Sequence, residues 1–291
     1  MTWFSEYKRS LKMVEVEEKL DLFLYRPLAF LFVKLIYRTS LTPNQITLLS
    51  MLFGIAGALC IGSGDAGLLP LAALLLLAYD VLDCSDGQLA RLKQNGTRTG
   101  RILDGFADYI VSFSMYLAIA IAYAPRWDTP LLWWLFTALA GFSNAGHSIL
   151  VDYYRNRFLD VVLQRKSTFE EDLEEFHREY EDLRARGVAP FDRFVIRVYL
   201  GYSRLQRRLS SGTGEHSFLA EVDPARYYRA NVRMLQFWLL LGPTSQLTYV
   251  IIGALLNSLE TYVFLLFSAG NILALAFYIA QARINRELEK R

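Results

Sequence analysis

Four aspartates stand where two strongly apolar segments meet, and this placement constrains the chain more than any other feature. They occupy positions 83, 86, 104 and 108, accompanied by Gly87, Ala90, Arg91 and Gly100. A carboxylate inside an apolar span is costly and by default marks a functional site. Four of them close together repel one another unless cations sit between them. A divalent-metal site is therefore the first reading. At 100° per residue, Asp83, Asp86, Gly87 and Ala90 share an arc of roughly 100° of one helix. Gly100, Asp104 and Asp108 share roughly 80° of the next. Each helix thus offers a carboxylate pair beside a stretch with little or no side chain. Carboxylate oxygens are hard ligands, suited to Mg²⁺, Mn²⁺ or Ca²⁺. The two cysteines, Cys60 and Cys84, and three scattered histidines argue against thiolate or imidazole metal sites and against a disulfide framework.

The rest of the chain reads as an all-α integral membrane protein. Hydrophobic residues make up 53% and charged residues 21%, and the mean hydropathy is +0.22. That mixture implies apolar spans plus a substantial water-facing part. Six spans are expected, at about 45–61, 68–92, 101–123, 131–151, 235–256 and 261–282. The fifth is interrupted by Gly242 and Pro243. The charged, mixed N-terminus does not read as a cleavable leader. Every Lys and Arg except Arg126 falls on the side shared by both termini. The positive-inside rule makes that side cytoplasmic, which places the termini and the carboxylates on the inner face of the cell membrane. The basic residues are spread over that face rather than gathered in a readout motif, so no nucleic-acid partner is expected.

Four regions follow: a cytoplasmic or interfacial segment 1–43, spans one to four over 44–154, a cytoplasmic insert 155–230, and spans five and six with a tail over 231–291. Residues 7–37 mix Val14, Leu20, Leu22, Phe23, Leu24, Pro27 and Leu28 with charges. They read as an interfacial amphipathic helix followed by a short apolar stretch, or as a basic anchor for anionic lipid. In the insert, Ser167 and Thr168 open a helix with a capping-box pattern. Phe169, Leu173, Phe176, Tyr180 and Leu183 form a narrow apolar stripe. Gly187 and Pro190 end that helix. A second helix over about 191–209 completes a helical hairpin, and residues 210–214 read as a flexible break.

The pattern D-x2-D-G-x2-A-R-x8-G-x3-D-x3-D formed by Asp83, Asp86, Gly87, Ala90, Arg91, Gly100, Asp104 and Asp108 resembles the signature of the CDP-alcohol phosphotransferase family at every fixed position. Thr42, Pro43 and Asn44 resemble the family's entry to its first span. The hydrophobic layout extends the resemblance to most of the chain outside 155–225.

The resemblance implies transfer of a phosphate-linked alcohol from a CDP-alcohol to an acceptor hydroxyl, with release of CMP. It implies two divalent ions, Mg²⁺ or Mn²⁺, on Asp83, Asp86 and Asp104 together with Asp108. Asp108 is also the candidate general base. Asn44, Asp86, Gly87, Ala90, Arg91 and Gly100 are the candidate nucleotide contacts. A homodimer with one site per protomer is expected. CDP-diacylglycerol is the expected donor, and inositol phosphate or glycerol phosphate the expected class of acceptor. A phosphorylated acceptor needs cations nearby, and Arg155, Arg157, Arg229 and Arg233 are the candidates. Transfer from CDP-choline or CDP-ethanolamine to a lipid alcohol is the alternative direction. Four intramembrane acids are also compatible with a metal- or proton-coupled transporter, although the acids stop near one face and the spans are otherwise apolar. Plainer readings stand beside these. Gly87, Ala90 and Gly100 are residue types that pack membrane helices. The arginines at helix ends follow from topology alone. Cys84 reads as a small apolar filler, His147 as a packed residue, Asp80 as a supporting or neutral buried acid, and Gly242-Pro243 as a kink.

Overall fold

The computed structural model describes residues 3–11, 13–164, 168–188, 190, 193–194, 196–197, 199–201 and 222–289. Among these residues every regular element is helical and there is no strand. The principal helices are α1 (Trp3–Ser10), α2 (Arg26–Ile36), α3 (Pro43–Gly62), α4 (Leu69–Lys93), α5 (Arg98–Tyr123), α6 (Pro130–Val162), α7 (Thr168–Arg186), α8 (Pro224–Trp238), α9 (Pro243–Leu255), α10 (Leu259–Leu265) and α11 (Asn271–Glu289).

Local chemistry sets the boundaries around the aspartates. At the start of α3, Thr42 accepts from the Gln45 amide and the Gln45 side chain accepts from the Thr42 amide, with Pro43 at the first helical position. α4 ends as Gln94 turns into the left-handed region at φ 53°. α5 restarts at once, with the Thr97 hydroxyl accepting from the Gly100 amide at 3.0 Å. The turn brings the last turns of α4 near the first turns of α5, and α3 packs against both helices.

Glycines let α3 lie close against this pair. A Cβ on Gly54 would stand 2.6 Å from Val111 Cγ1 of α5, and one on Gly57 3.0 Å from Leu76 Cγ of α4. The main core gathers Ala58, Leu76, Tyr79, Ile119, Trp133 and Val250 from five helices. A second core forms around Trp238, whose ring stacks on Tyr154 at 4.5 Å, together with Phe158 and Tyr227.

Five stretches are long and apolar enough to cross a membrane: Pro43–Gly62, Ala66–Lys93, Gly100–Arg126, Pro224–Leu255 and Leu259–Leu288. They match five of the six expected spans and make this an integral membrane protein. The fourth expected span falls in α6. That helix has the length, at 33 residues, but Trp133, Trp134, Asn144 and His147 dilute its apolar run. α6 also runs beyond residue 151, where the fourth expected span ended, because Tyr154 and Phe158 are buried against α8. The fifth span breaks where expected. A tight turn at Leu239–Leu241 leads through Gly242 to Pro243, whose ring nitrogen has no hydrogen to donate. This span is 72% buried, against 22% for the last, so it is the inner helix of the bundle.

The N-terminal segment departs from a single amphipathic helix. It is divided among α1, a short turn at Val14–Val16, a π-turn at Asp21–Tyr25 and α2. An interfacial helix keeps its charges in water, whereas Glu17, Glu18, Asp21 and Arg26 are buried here. Each of them has an internal partner. Arg26 pairs with Glu17 at 2.7 Å. Glu18 accepts from the Ser245 amide at 2.7 Å and its hydroxyl at 2.8 Å, and from the Thr244 amide at 3.4 Å, at the N-terminus of α9. In the insert, α7 ends at Gly187, which adopts φ +66°. Phe176 is buried with Ile196 and Leu200 against Ile102 of α5, and the Arg101 guanidinium lies over its ring. Ser167, residues 202–209 of the expected second helix and the expected break at 210–214 lie outside the described residues.

Candidate active site

Asp83 on α4 and Asp104 and Asp108 on α5 come together, each with a carboxylate oxygen within 4.8 Å of the others. The i,i+4 spacing on α5 places its two acids on one face, and the end of α4 supplies the third across the junction. The donor set fits a hard divalent cation. One oxygen of Asp83 is buried with no hydrogen-bond partner, as a metal-ligand oxygen would be.

Asp86, the fourth expected ligand, accepts a hydrogen bond from the Thr47 hydroxyl of α3 in the buried interface. It stands beside Asp104 in the electrostatic field of the cluster. The structure thus brings three of the four aspartates into one group, with the fourth held at its edge by α3.

The expected nucleotide contacts line the same junction in pairs. Asn44 covers Gly100, where a Cβ would stand 2.6 Å from Asn44 Oδ1 and 2.9 Å from Thr97 Oγ1. A side chain at position 100 would therefore have to displace the Asn44 side chain or the Thr97 cap. Arg91 folds back over Gly87, where a Cβ would meet its Nη1 at 3.3 Å. Its Nε donates to the Ser10 carbonyl of α1 at 2.5 Å. Ala90 faces Gly96 across the turn.

The four candidate acceptor arginines do not form one group among the contacts seen. Arg155 pairs with Asp152 at 3.3 Å and with Glu18 at 3.7 Å. Arg157 donates to the Tyr153 hydroxyl at 2.6 Å. Arg229 and Arg233 are exposed on α8. Asp152, one turn before Arg155, is near enough to Asp108 to interact with it electrostatically. α6 also packs against α5, the helix that carries Asp104 and Asp108.

Two participants were missed by reading the sequence. Thr47 holds Asp86. Tyr79 donates its hydroxyl to Asp108 Oδ1 at 2.7 Å. Tyr79 precedes Asp83 by one helical turn, so its position on the aspartate face was available as a signal. Asp80 is buried with Oδ2 unpartnered, in the field of Asp21 and Glu18. His147 is a packed residue, hydrogen-bonded to Asn271 at 3.1 Å.

Residues 40–156 match the family model described as CDP-alcohol phosphatidyltransferase. The chain is 35% identical over 117 residues to the bifunctional IPC transferase and DIPP synthase of Aquifex aeolicus, covering 40% of this chain and 24% of that protein. It is 36% identical over 117 residues to the protein of the same description in Thermococcus kodakarensis, with the same coverage. It is 33% identical over 97 residues to the phosphatidylinositol phosphate synthase of Corynebacterium glutamicum, covering 33% of this chain and 43% of that protein. The match thus spans about a quarter of the first two relatives and less than half of the third.

Proposed function

With a CDP-alcohol phosphatidyltransferase domain at residues 40–156, this chain is, we propose, a membrane transferase that moves a phosphatidyl group from CDP-diacylglycerol to a hydroxyl of a phosphorylated polyol. The observation that carries the reading is the convergence of Asp83, Asp104 and Asp108 within that domain. The relatives, which include a phosphatidylinositol phosphate synthase, favour inositol phosphate over glycerol phosphate as acceptor.

In the reaction, the acceptor oxygen attacks the phosphorus that bears the diacylglycerol. Asp108 takes the hydroxyl proton, the bond from that phosphorus to the bridging oxygen breaks, and CMP leaves with the electron pair. Asp83, Asp86, Asp104 and Asp108 would hold two divalent ions, Mg²⁺ or Mn²⁺, which would supply positive charge for the diphosphate and the CMP leaving group. Gly87, Ala90 and Gly100 give the nucleotide close access to backbone. Asn44 sits at the Gly100 edge to contact it. Arg91 is positioned to exchange its Ser10 carbonyl for a phosphate oxygen. Arg155, with Arg157, Arg229 and Arg233, supplies positive charge for the acceptor phosphate. α6 is the remaining span of six, the site opens to the cytoplasm, and the enzyme works as a homodimer.

The test is CMP release by purified protein in nanodiscs with Mg²⁺ or Mn²⁺ and CDP-diacylglycerol. Inositol phosphate, inositol, glycerol phosphate and serine are offered separately. Release that depends on inositol phosphate and disappears in Asp108→Asn is expected. Silence with every acceptor overturns the reading.

A further inference from the structure

Tyr79 has an environment that its packing does not require. Its ring belongs to the main core and the residue is 7% exposed. A phenylalanine would fill that space, yet the position carries a hydroxyl, and the hydroxyl donates to Asp108 Oδ1 at 2.7 Å. Asp108 lies on α5 and Tyr79 on α4, so the bond crosses the same interface that assembles the carboxylates. Tyr79 also precedes Asp83 by four residues, which stacks its side chain directly under that ligand on the α4 face.

A carboxylate is free to turn about its last torsion, which has broad, roughly two-fold preferences. An aspartate that must take a proton from one direction while also facing cations gains from having one oxygen fixed. We propose that Tyr79 is a positioning residue for the transfer. Its hydroxyl holds Oδ1 of Asp108, so that the other oxygen is the one presented to the acceptor hydroxyl and the cation. The inference rests on Asp108 acting as the proton acceptor. It assigns Tyr79 no contact with substrate. A neutral phenol suits the task, because a cationic partner in its place would compete with the divalent ions for the same carboxylate.

The experiment compares wild type, Tyr79→Phe and Asp108→Asn in nanodiscs, reading kcat, KM for CDP-diacylglycerol, and the thermal midpoint with and without Mg²⁺. Misplacement of a reacting group costs up to about 100-fold. Tyr79→Phe is therefore expected to lower kcat by about 10- to 100-fold while leaving KM and the Mg²⁺-induced rise in midpoint intact. An unchanged kcat, or a loss confined to KM, overturns the proposal. So does a fall in kcat that comes with a lower midpoint and a lost Mg²⁺ response, because the hydroxyl then only supports the fold. A silent wild type removes the transferase reading and this inference with it. An active wild type with an equally active Tyr79→Phe removes only the inference.

Discussion

Asp83 and Asp86 lie on one arc of one helix, yet they have different neighbours: Asp83 meets the α5 carboxylates and Asp86 meets Thr47. The spacing of the aspartates alone made their shared face legible. Their partners were not legible, because Thr47 and Tyr79 belong to positions 39 and 29 residues away from the acids they hold. Glu18 shows the same limit more sharply. In the sequence it is one charge among several. In the fold it is buried at the head of α9, and its carboxyl is pushed up to about 7, chiefly by burial and then by the nearby Asp21, against the lowering effects of Arg155 and Ser245. An acid whose folded pKa is raised binds its proton more tightly in the native state than in the unfolded one. Its contribution to stability is therefore greatest below the ordinary value of 4.5 and falls as pH climbs from there to about 7. The span of the shift corresponds to roughly 3 kcal/mol. Glu18→Gln is expected to flatten that part of the stability profile, as read by the thermal midpoint in detergent between pH 4.5 and 7. A profile as steep as that of wild type counts against this role for Glu18.

At the level of elements, the helices carrying the motif were read to within a few residues, because Pro43, Thr97, Pro130 and Pro243 begin helices for local reasons that need no tertiary context. The N-terminal segment was harder. Its division into short pieces follows from burying charges against α9, which amphipathic periodicity cannot anticipate. The approach of α3 was also hidden, since Gly54 reads as an ordinary membrane glycine until Val111 is placed against it. That contact has a consequence for the site, because α3 carries both Thr47 and Asn44. In Gly54→Leu the new side chain must displace Val111 or separate α3 from α5. Overpacking of this kind costs about 1–3 kcal/mol. The variant is expected to lose that much stability and also to lose CMP release, because moving α3 withdraws Thr47 from Asp86. Gly146→Ala serves as the control, since a Cβ there meets nothing within 4 Å. Thermal midpoints and turnover of the two variants, measured side by side, check the argument. Equal turnover in both separates α3 packing from the site.

For the molecule as a whole, the question is whether α6 crosses the membrane. Composition admits five spans without it. An odd number puts the two termini on opposite faces and sends the segment after α6 outside. Two physical arguments oppose that arrangement. At 1.5 Å per residue, the 33 residues of α6 extend about 50 Å, enough to cross a bilayer and emerge. Arg155, Arg157, Arg226, Arg229 and Arg233 lie close to the ends of the flanking spans, where the positive-inside rule carries most weight. With α6 spanning, all five remain on the side that holds Arg91 and Lys93. A cysteine at exposed position 182 of α7, in a background with Cys60 and Cys84 replaced by alanine, distinguishes the two cases. With six spans, a membrane-impermeant maleimide leaves Asp182→Cys unlabelled in intact cells and labels it after permeabilisation, whereas Asp65→Cys, in the turn between α3 and α4, is labelled in both. Labelling of position 182 in intact cells with Asp65→Cys also labelled means that α6 does not cross. The insert, docked through Phe176 beside Ile102, then lies on the opposite face from the expected cytoplasmic entrance to the carboxylates. Because that docking places the insert against the first turns of α5, and those turns carry Gly100 and Asp104, a five-span topology would separate elements that this fold holds in contact. The six-span outcome is therefore the one consistent with the packing as well as with the charges.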